Sequence, residues 1–311
     1  MKAKTDKKQG FLQKLVRYKT LLLMLLPSAA LVLIFSYLPI GGLVMAFKRF
    51  NYADGIFGSP WVGLDNFRFF FESGKALLVT RNTALYNLAF ILINTVLEIA
   101  FAVILSEMAG KWMKKLTQSI IFLPYFISWV IVGSIAYSLL SYETGTLNGV
   151  LKSLGINPVN FYGESGWWPL IIVAFSAWKG VGYGVVVYLA AILGVDASQH
   201  EAAAIDGANI FQRIRYITIP SITPTVITLT LLALGKIFRG NLDLFYQLVG
   251  KNGALYDSTD VIDTFVFRSL LETSDIGMAA SAGFYQSILC FVTIMLVNGI
   301  VKRVQSDYAL F

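Results

Sequence analysis

The chain has 311 residues and a formal net charge of +7, yet 56% of its residues are hydrophobic and only 14% are charged. With a mean hydropathy of +0.67, that balance excludes an ordinary soluble domain and describes a chain that crosses a membrane several times. Its basic residues mark one membrane face rather than a nucleic-acid site, so no nucleic-acid partner is expected.

Residues 1–19 form a basic tail in which Lys2, Lys4, Lys7, Lys8, Lys14, Arg17 and Lys19 precede the first apolar stretch. A secretory signal begins in the same way, but this stretch is too long and holds Pro27 and Pro39, so an uncleaved first span is expected. Six segments are apolar and long enough for a hydrocarbon core of about 30 Å, which takes roughly 20 helical residues: 20–47, 84–107, 117–141, 168–193, 221–240 and 281–301. Gly, Pro, Asn and Ser cluster at 51–63, 144–166 and 250–259, which marks external loops. Lys111, Lys114 and Lys115 follow the second span, Arg213 and Arg215 the fourth, and Lys302 and Arg303 the sixth. With the tail, all fall on one side if both termini are cytoplasmic, the orientation that the positive-inside bias favours. Trp61, Trp112, Trp129, Trp167 and Trp168 fall near span ends or in adjacent loops, where an amphipathic ring prefers to sit.

Ionisable and amide groups at membrane depth usually face a cavity or a partner. Asn94 and Glu98 in the second span, Lys179 and Tyr183 in the fourth, and Lys236 and Arg239 in the fifth are paired at helical spacing, and Tyr285 and Gln286 lie in the sixth. Lining a translocation path, such rings and hydrogen-bonding groups suit sugars, and the cations suit carboxylates. The alternative is structural: Lys236 and Arg239 reach the outer interface, Arg239 pairs with Asp243, and Glu98 pairs with a neighbouring span. Gly180, Gly182 and Gly184 form a small-residue stripe suited to close helix contact, or to a flexible gate. The acidic segment 241–275 is either a solvated external loop or a contact for another protein.

Catalysis finds no support. There is no glycine-rich phosphate loop, nucleophile elbow or paired-histidine motif. One histidine, His200, and one cysteine, Cys290, provide neither a metal site nor a disulfide. No cofactor is expected in this chain.

Between the fourth and fifth spans lies a polar, charge-bearing stretch, EAAAIDGANIFQRIRYITIP, from Glu201 to Pro220. Helix-favouring alanines, a break at Asp206 and Gly207, and resumption from Asn209 predict two short helices. Phe211, Ile214 and Ile217 recur every three residues as an apolar stripe, and Pro220 suits the start of the next helix. Glu201, Ala202 and Ala203, then Asp206, Gly207 and Ala208, then Phe211, Ile214 and Pro220 resemble the cytoplasmic EAA loop of binding-protein-dependent ABC importer permeases. Val62-Gly63-Leu64-Asp65-Asn66-Phe67 is similar to an element of the first external region of maltose-type permeases. Val261-Ile262-Asp263-Thr264 and Gly277-Met278-Ala279-Ala280-Ser281-Ala282 resemble the polysaccharide and aldouronate branch.

The resemblance implies an all-α polytopic domain over residues 20–311, of the MetI-like type I importer class, with a coupling loop at 196–220. It also implies a bacterial cell-membrane location and a hetero-oligomer: a second homologous permease, two ABC ATPase subunits that bind ATP and Mg, and an extracytoplasmic solute-binding protein carrying an oligosaccharide. The rivals are an ion-coupled secondary transporter using Glu98 and Lys179, which would need no ATPase, and a membrane glycosyl-transfer enzyme, whose acidic motifs are not found.

Overall fold

The computed structural model describes residues 18–304, and the described residues are helical with a single isolated bridge between Lys48 and Trp61. The basic tail therefore lies almost wholly outside the described residues. Among the described residues five helices are long and apolar enough to cross a membrane, and a bent pair passes the same test when its two helices are taken together as one broken span.

Helix α1 (Lys19–Phe47) is exposed along almost its whole length. It loosens into a π turn at Leu33–Tyr37 and tightens to 3-10 geometry from Leu38, where Pro39 removes an N–H from the ladder. Its anchorage lies at its C-terminal end. Asn66, at the start of α2 (Asp65–Glu72), donates to the carbonyls of Ala46 (2.9 Å) and Lys48 (3.0 Å), and Phe67 and Phe284 close on the Phe47 ring. The VGLDNF element is thus the latch between α1 and the last helix.

The centre is α3 (Lys75–Glu107) against α6 (Trp168–Leu193). The second span begins well before residue 84, the expected start. A Cβ at Gly184 would run into the Glu98 carboxyl, and one at Gly180 would meet Asn94. Gly182, two residues round the helix, turns away from α3 and lies on the backbone of Ile121 and Phe122. The three glycines are therefore not one stripe: Gly184 makes room for the Glu98 carboxyl of α3, Gly182 admits the neighbouring helix, and a Cβ at Gly180 would make only ordinary contact with Asn94. Leu105, Val185, Tyr188, Leu189 and Ile222 seal the inner half of this contact.

The expected straight span 117–141 is instead two helices, α4 (Lys111–Phe126) and α5 (Trp129–Leu140), meeting at 95°. Pro124 lacks the amide that would continue the ladder, Ile127 is extended, and Ser128 restarts the chain by accepting from the Ile131 amide. Trp129 consequently sits at this break, beside the Lys179 ammonium. Trp168 is likewise core: it is fully buried and its indole donates to the Phe161 carbonyl at 2.7 Å.

The fifth span belongs to α8 (Ile210–Leu234), which stops short of Lys236 and Arg239. Segment 241–275 is not a solvated loop. Within it α9 (Leu242–Val249) buries Leu244, Phe245, Leu248 and Val249 against Val132, Ala136, Trp168 and Ile172, and Gly133 lets the Gln247 backbone approach α5. Before α10 (Ile262–Leu271), Asp260 is 2% exposed and takes two bonds from Arg268 (2.9 and 2.6 Å), whose guanidinium lies 4.0 Å above the Tyr256 ring. Asn82 and Tyr86 of α3 donate to carbonyls of this segment, and Ser258 donates to Ser165. The pairing of Arg239 with Asp243 is not made; the charge beside Arg239 is Asp263, which accepts from the Gly240 amide and from Gln286 (2.8 Å) on α11 (Ile276–Val304).

Candidate coupling and translocation site

Helix α7 (Ala197–Ile205) opens on Asp196, whose carboxylate accepts from the Ser198 amide at 3.0 Å, a bond that holds its pKa below the usual range. Its end is fixed by Gly207 at φ +80: the Gly207 amide donates to Ala204 and the Ala208 amide to Ala203, closing the last turn through a left-handed residue. A capping box then starts α8, with Asn209 accepting from the Gln212 amide (3.0 Å) and Gln212 accepting from that of Asn209 (2.7 Å). Two helices around a break are present as expected, but the second is not short. It runs unbroken into the fifth span through a π turn at Ile214–Thr218, so Pro220 lies inside a continuous helix and does not begin a new one.

Glu201, Ala202, Asp206 and Gly207 are exposed, and Ala203 and Ala208 are half-buried. The anticipated apolar stripe divides: Ile214 packs on the core, whereas Phe211 stands 78% exposed beside Ile205 at 87%. Arg213, whose Nε is buried without a partner among the described residues, reaches the Glu107 carboxylate at 3.8 Å and so ties the segment to the C-terminal end of α3. Sequence reasoning missed Glu107; its only signal was its place as the last residue of an apolar helix.

The expected path residues do not form one wall. Lys179 and Tyr183 converge on the break in the third span: Lys179 donates to the Tyr125 carbonyl at 2.7 Å, beside the rings of Tyr125 and Trp129, and Tyr183 stacks on Tyr125 at 5.3 Å. The ammonium thus occupies a carbonyl that the broken ladder leaves free, while the face of Tyr183 is more than half exposed. Asn94 and Glu98 sit one helix face away, between α3 and α6, and Asn94 Oδ1 is buried with no partner among the described residues. Lys236 and Arg239 are exposed beyond the end of α8. Gln286 ties the Phe238 carbonyl to Asp263, whereas Tyr285 bonds Thr80 (3.1 Å) and packs on Phe70 and Phe71, so these two hold helices together. Tyr125 escaped the sequence reading, and Trp129 figures there only as a ring near a span end, although Pro124 between apolar residues signals a bend.

The family described as "Binding-protein-dependent transport system inner membrane component" matches residues 98–306, the stretch from Glu98 through the coupling segment and the last span. The chain belongs to that family. As such it is a multi-pass permease, a transport component rather than an enzyme. This permease is 30% identical over 300 residues to the polygalacturonan/rhamnogalacturonan transport system permease protein YteP of Bacillus subtilis (strain 168), covering 96% of its own chain and 93% of that protein. Its fold superposes with a TM-score of 0.85 and 32% identity on a bacterial ABC transporter involved in the import of the acidic polysaccharide alginate, over 94% of this chain and 98% of that one. A second structure of a bacterial alginate ABC transporter, in complex with an alginate pentasaccharide-bound periplasmic protein, matches at the same TM-score with 31% identity, covering 95% of this chain and 98% of that one.

Proposed function

We propose that this permease is one of two homologous membrane subunits of an ATP-driven importer of acidic oligosaccharides, with both termini in the cytoplasm. Two ATPase subunits bind ATP and Mg, and the permease carries the mechanical part. The observation that carries the reading is the bare apolar surface of the coupling segment, where Ile205, Phe211 and Tyr216 are 87, 78 and 70% exposed on a capped, rigid projection. Large apolar groups in such a place call for a protein partner. Closure of the ATPases on ATP would press on α7, and because α8 is continuous the displacement passes directly into the fifth span.

The likeness to the alginate and polygalacturonan systems supports a uronate-bearing substrate delivered by a solute-binding protein. Tyr125, Tyr183 and Trp129 at the break offer ring faces to a pyranose, and the Lys179 ammonium beside them suits a carboxylate. Lys236 and Arg239 at the outer end would meet the same charge first.

The test is purification of the complex with its neighbouring subunits, followed by ATPase stimulation with the binding protein and a panel of neutral and uronate oligosaccharides. ATPase co-purification and preferential stimulation by uronates are expected. A Lys236→Gln/Arg239→Gln variant should lose uptake of acidic more than of neutral sugars; equal losses would remove the charge argument, and absence of any ATPase would remove the coupling.

A further inference from the structure

At the coupling-side end of the membrane domain, α4 and α6 flank an open cavity of about 370 Å³ whose two walls do not match. One wall is Lys111, Lys114 and Lys115, three and four residues apart on one face of α4. The other is Val186, Leu189 and Leu193, the apolar face of α6. None of the three lysines makes an ion pair among the described residues. They also crowd the first two turns of a helix with no acidic residue in its first turn, where the backbone amides already leave partial positive charge. Three cations facing aliphatic walls at a helix N-terminus lack a counter-ion, and an anion would relieve the repulsion.

From this mismatch we infer that the cavity is a binding site for an anionic phospholipid of the coupling-side leaflet. The phosphodiester lies against the three lysines, and the upper acyl chain runs along Val186 and Leu193, over the buried Leu189, toward the hydrocarbon core. Depth supports this: the lysines lie at the start of α4, ahead of its descent to the break, and Trp112 beside them is 72% exposed, as an interfacial ring would be. A sugar fits poorly, since Gln118 is the one uncharged polar side chain in the lining and no aromatic ring faces the cavity. A lipid brings both the charge and the chain that the two walls accept.

The whole transporter complex, reconstituted in phosphatidylcholine vesicles with or without phosphatidylglycerol and then examined by native mass spectrometry, tests the site. Wild type should retain phosphatidylglycerol in preference to phosphatidylcholine. Each Lys→Gln change should weaken retention roughly fivefold, the equivalent of about 1 kcal/mol per basic residue at a membrane surface, so Lys111→Gln/Lys114→Gln/Lys115→Gln together should lose on the order of 100-fold. The triple Lys→Arg variant should bind as wild type does, which separates charge from folding. Retention of phosphatidylglycerol by the Gln variant at wild-type level would overturn the assignment. So would unchanged lipid retention with loss of a neighbouring subunit, which would give the lysines to a protein contact.

Discussion

Gly207 fixes the end of the coupling helix by its backbone alone, and substitution there separates conformation from contact. Its φ of +80 lies in the left-handed region, and among the described residues nothing beyond its immediate neighbours stands within 4 Å of where a Cβ would project. A non-glycine residue therefore meets no clash, only the left-handed penalty of about 1–2 kcal/mol, equivalent to roughly a 5- to 30-fold fall in the population that keeps the two capping bonds to Ala203 and Ala204. Asn tolerates this region better than Ala, and Val worst. Uptake in proteoliposomes containing the assembled transporter should accordingly fall in the order Gly, Asn, Ala, Val, with Gly207→Val losing about 30-fold or more. ATPase co-purification, measured alongside, should follow the same order. If Gly207→Ala instead works best of the three and Gly207→Asn is as poor as Gly207→Val, side-chain bulk against the partner decides, and the conformational reasoning is refuted.

Gly184→Ala should destabilise the α3–α6 contact by about 1–3 kcal/mol through overpacking, with a lower melting temperature in detergent, and Glu98→Ala should recover most of the loss; an additive double variant would show that the two side chains do not share that space. Exchanging the charges of Glu107 and Arg213 tests the tie between the Glu201–Pro220 segment and α3: either single reversal should slow uptake several-fold, since a pair about one-quarter exposed is worth about 1 kcal/mol, and the double reversal should restore it, whereas wild-type uptake by both single variants would dismiss the tie.

Hydropathy located the spans because each is a long apolar run, and the Glu201–Pro220 pattern gave the two helices and the break between them because small and capping residues there have fixed spacing. What stayed hidden was short or mutual. Helix α9 has only eight residues, too few for a hydropathy window, and Asp243 and Gln247 disguise its buried face. Asp260 looked like one acid among several, since the Arg268 that neutralises it lies eight residues on. Glu98 and Gly184 explain one another only once their helices are side by side. The division of Ile214 from Phe211 depended on which turn enters the bilayer, and α8 decides that by continuing without a stop.

The right-angle bend in the third crossing has a mechanical corollary. By helical rise, α4 is about 24 Å long and α5 about 18 Å, so neither limb bridges a hydrocarbon core of about 30 Å unaided. Their shared vertex is already without a continuous hydrogen-bond ladder, and a lysine borrowed from the adjacent helix satisfies it. Opening the angle there loosens the Lys179 bonds to the Pro124 and Tyr125 carbonyls and the Tyr125–Tyr183 stack but breaks no turn of either rod, so bending of this crossing is concentrated at its vertex.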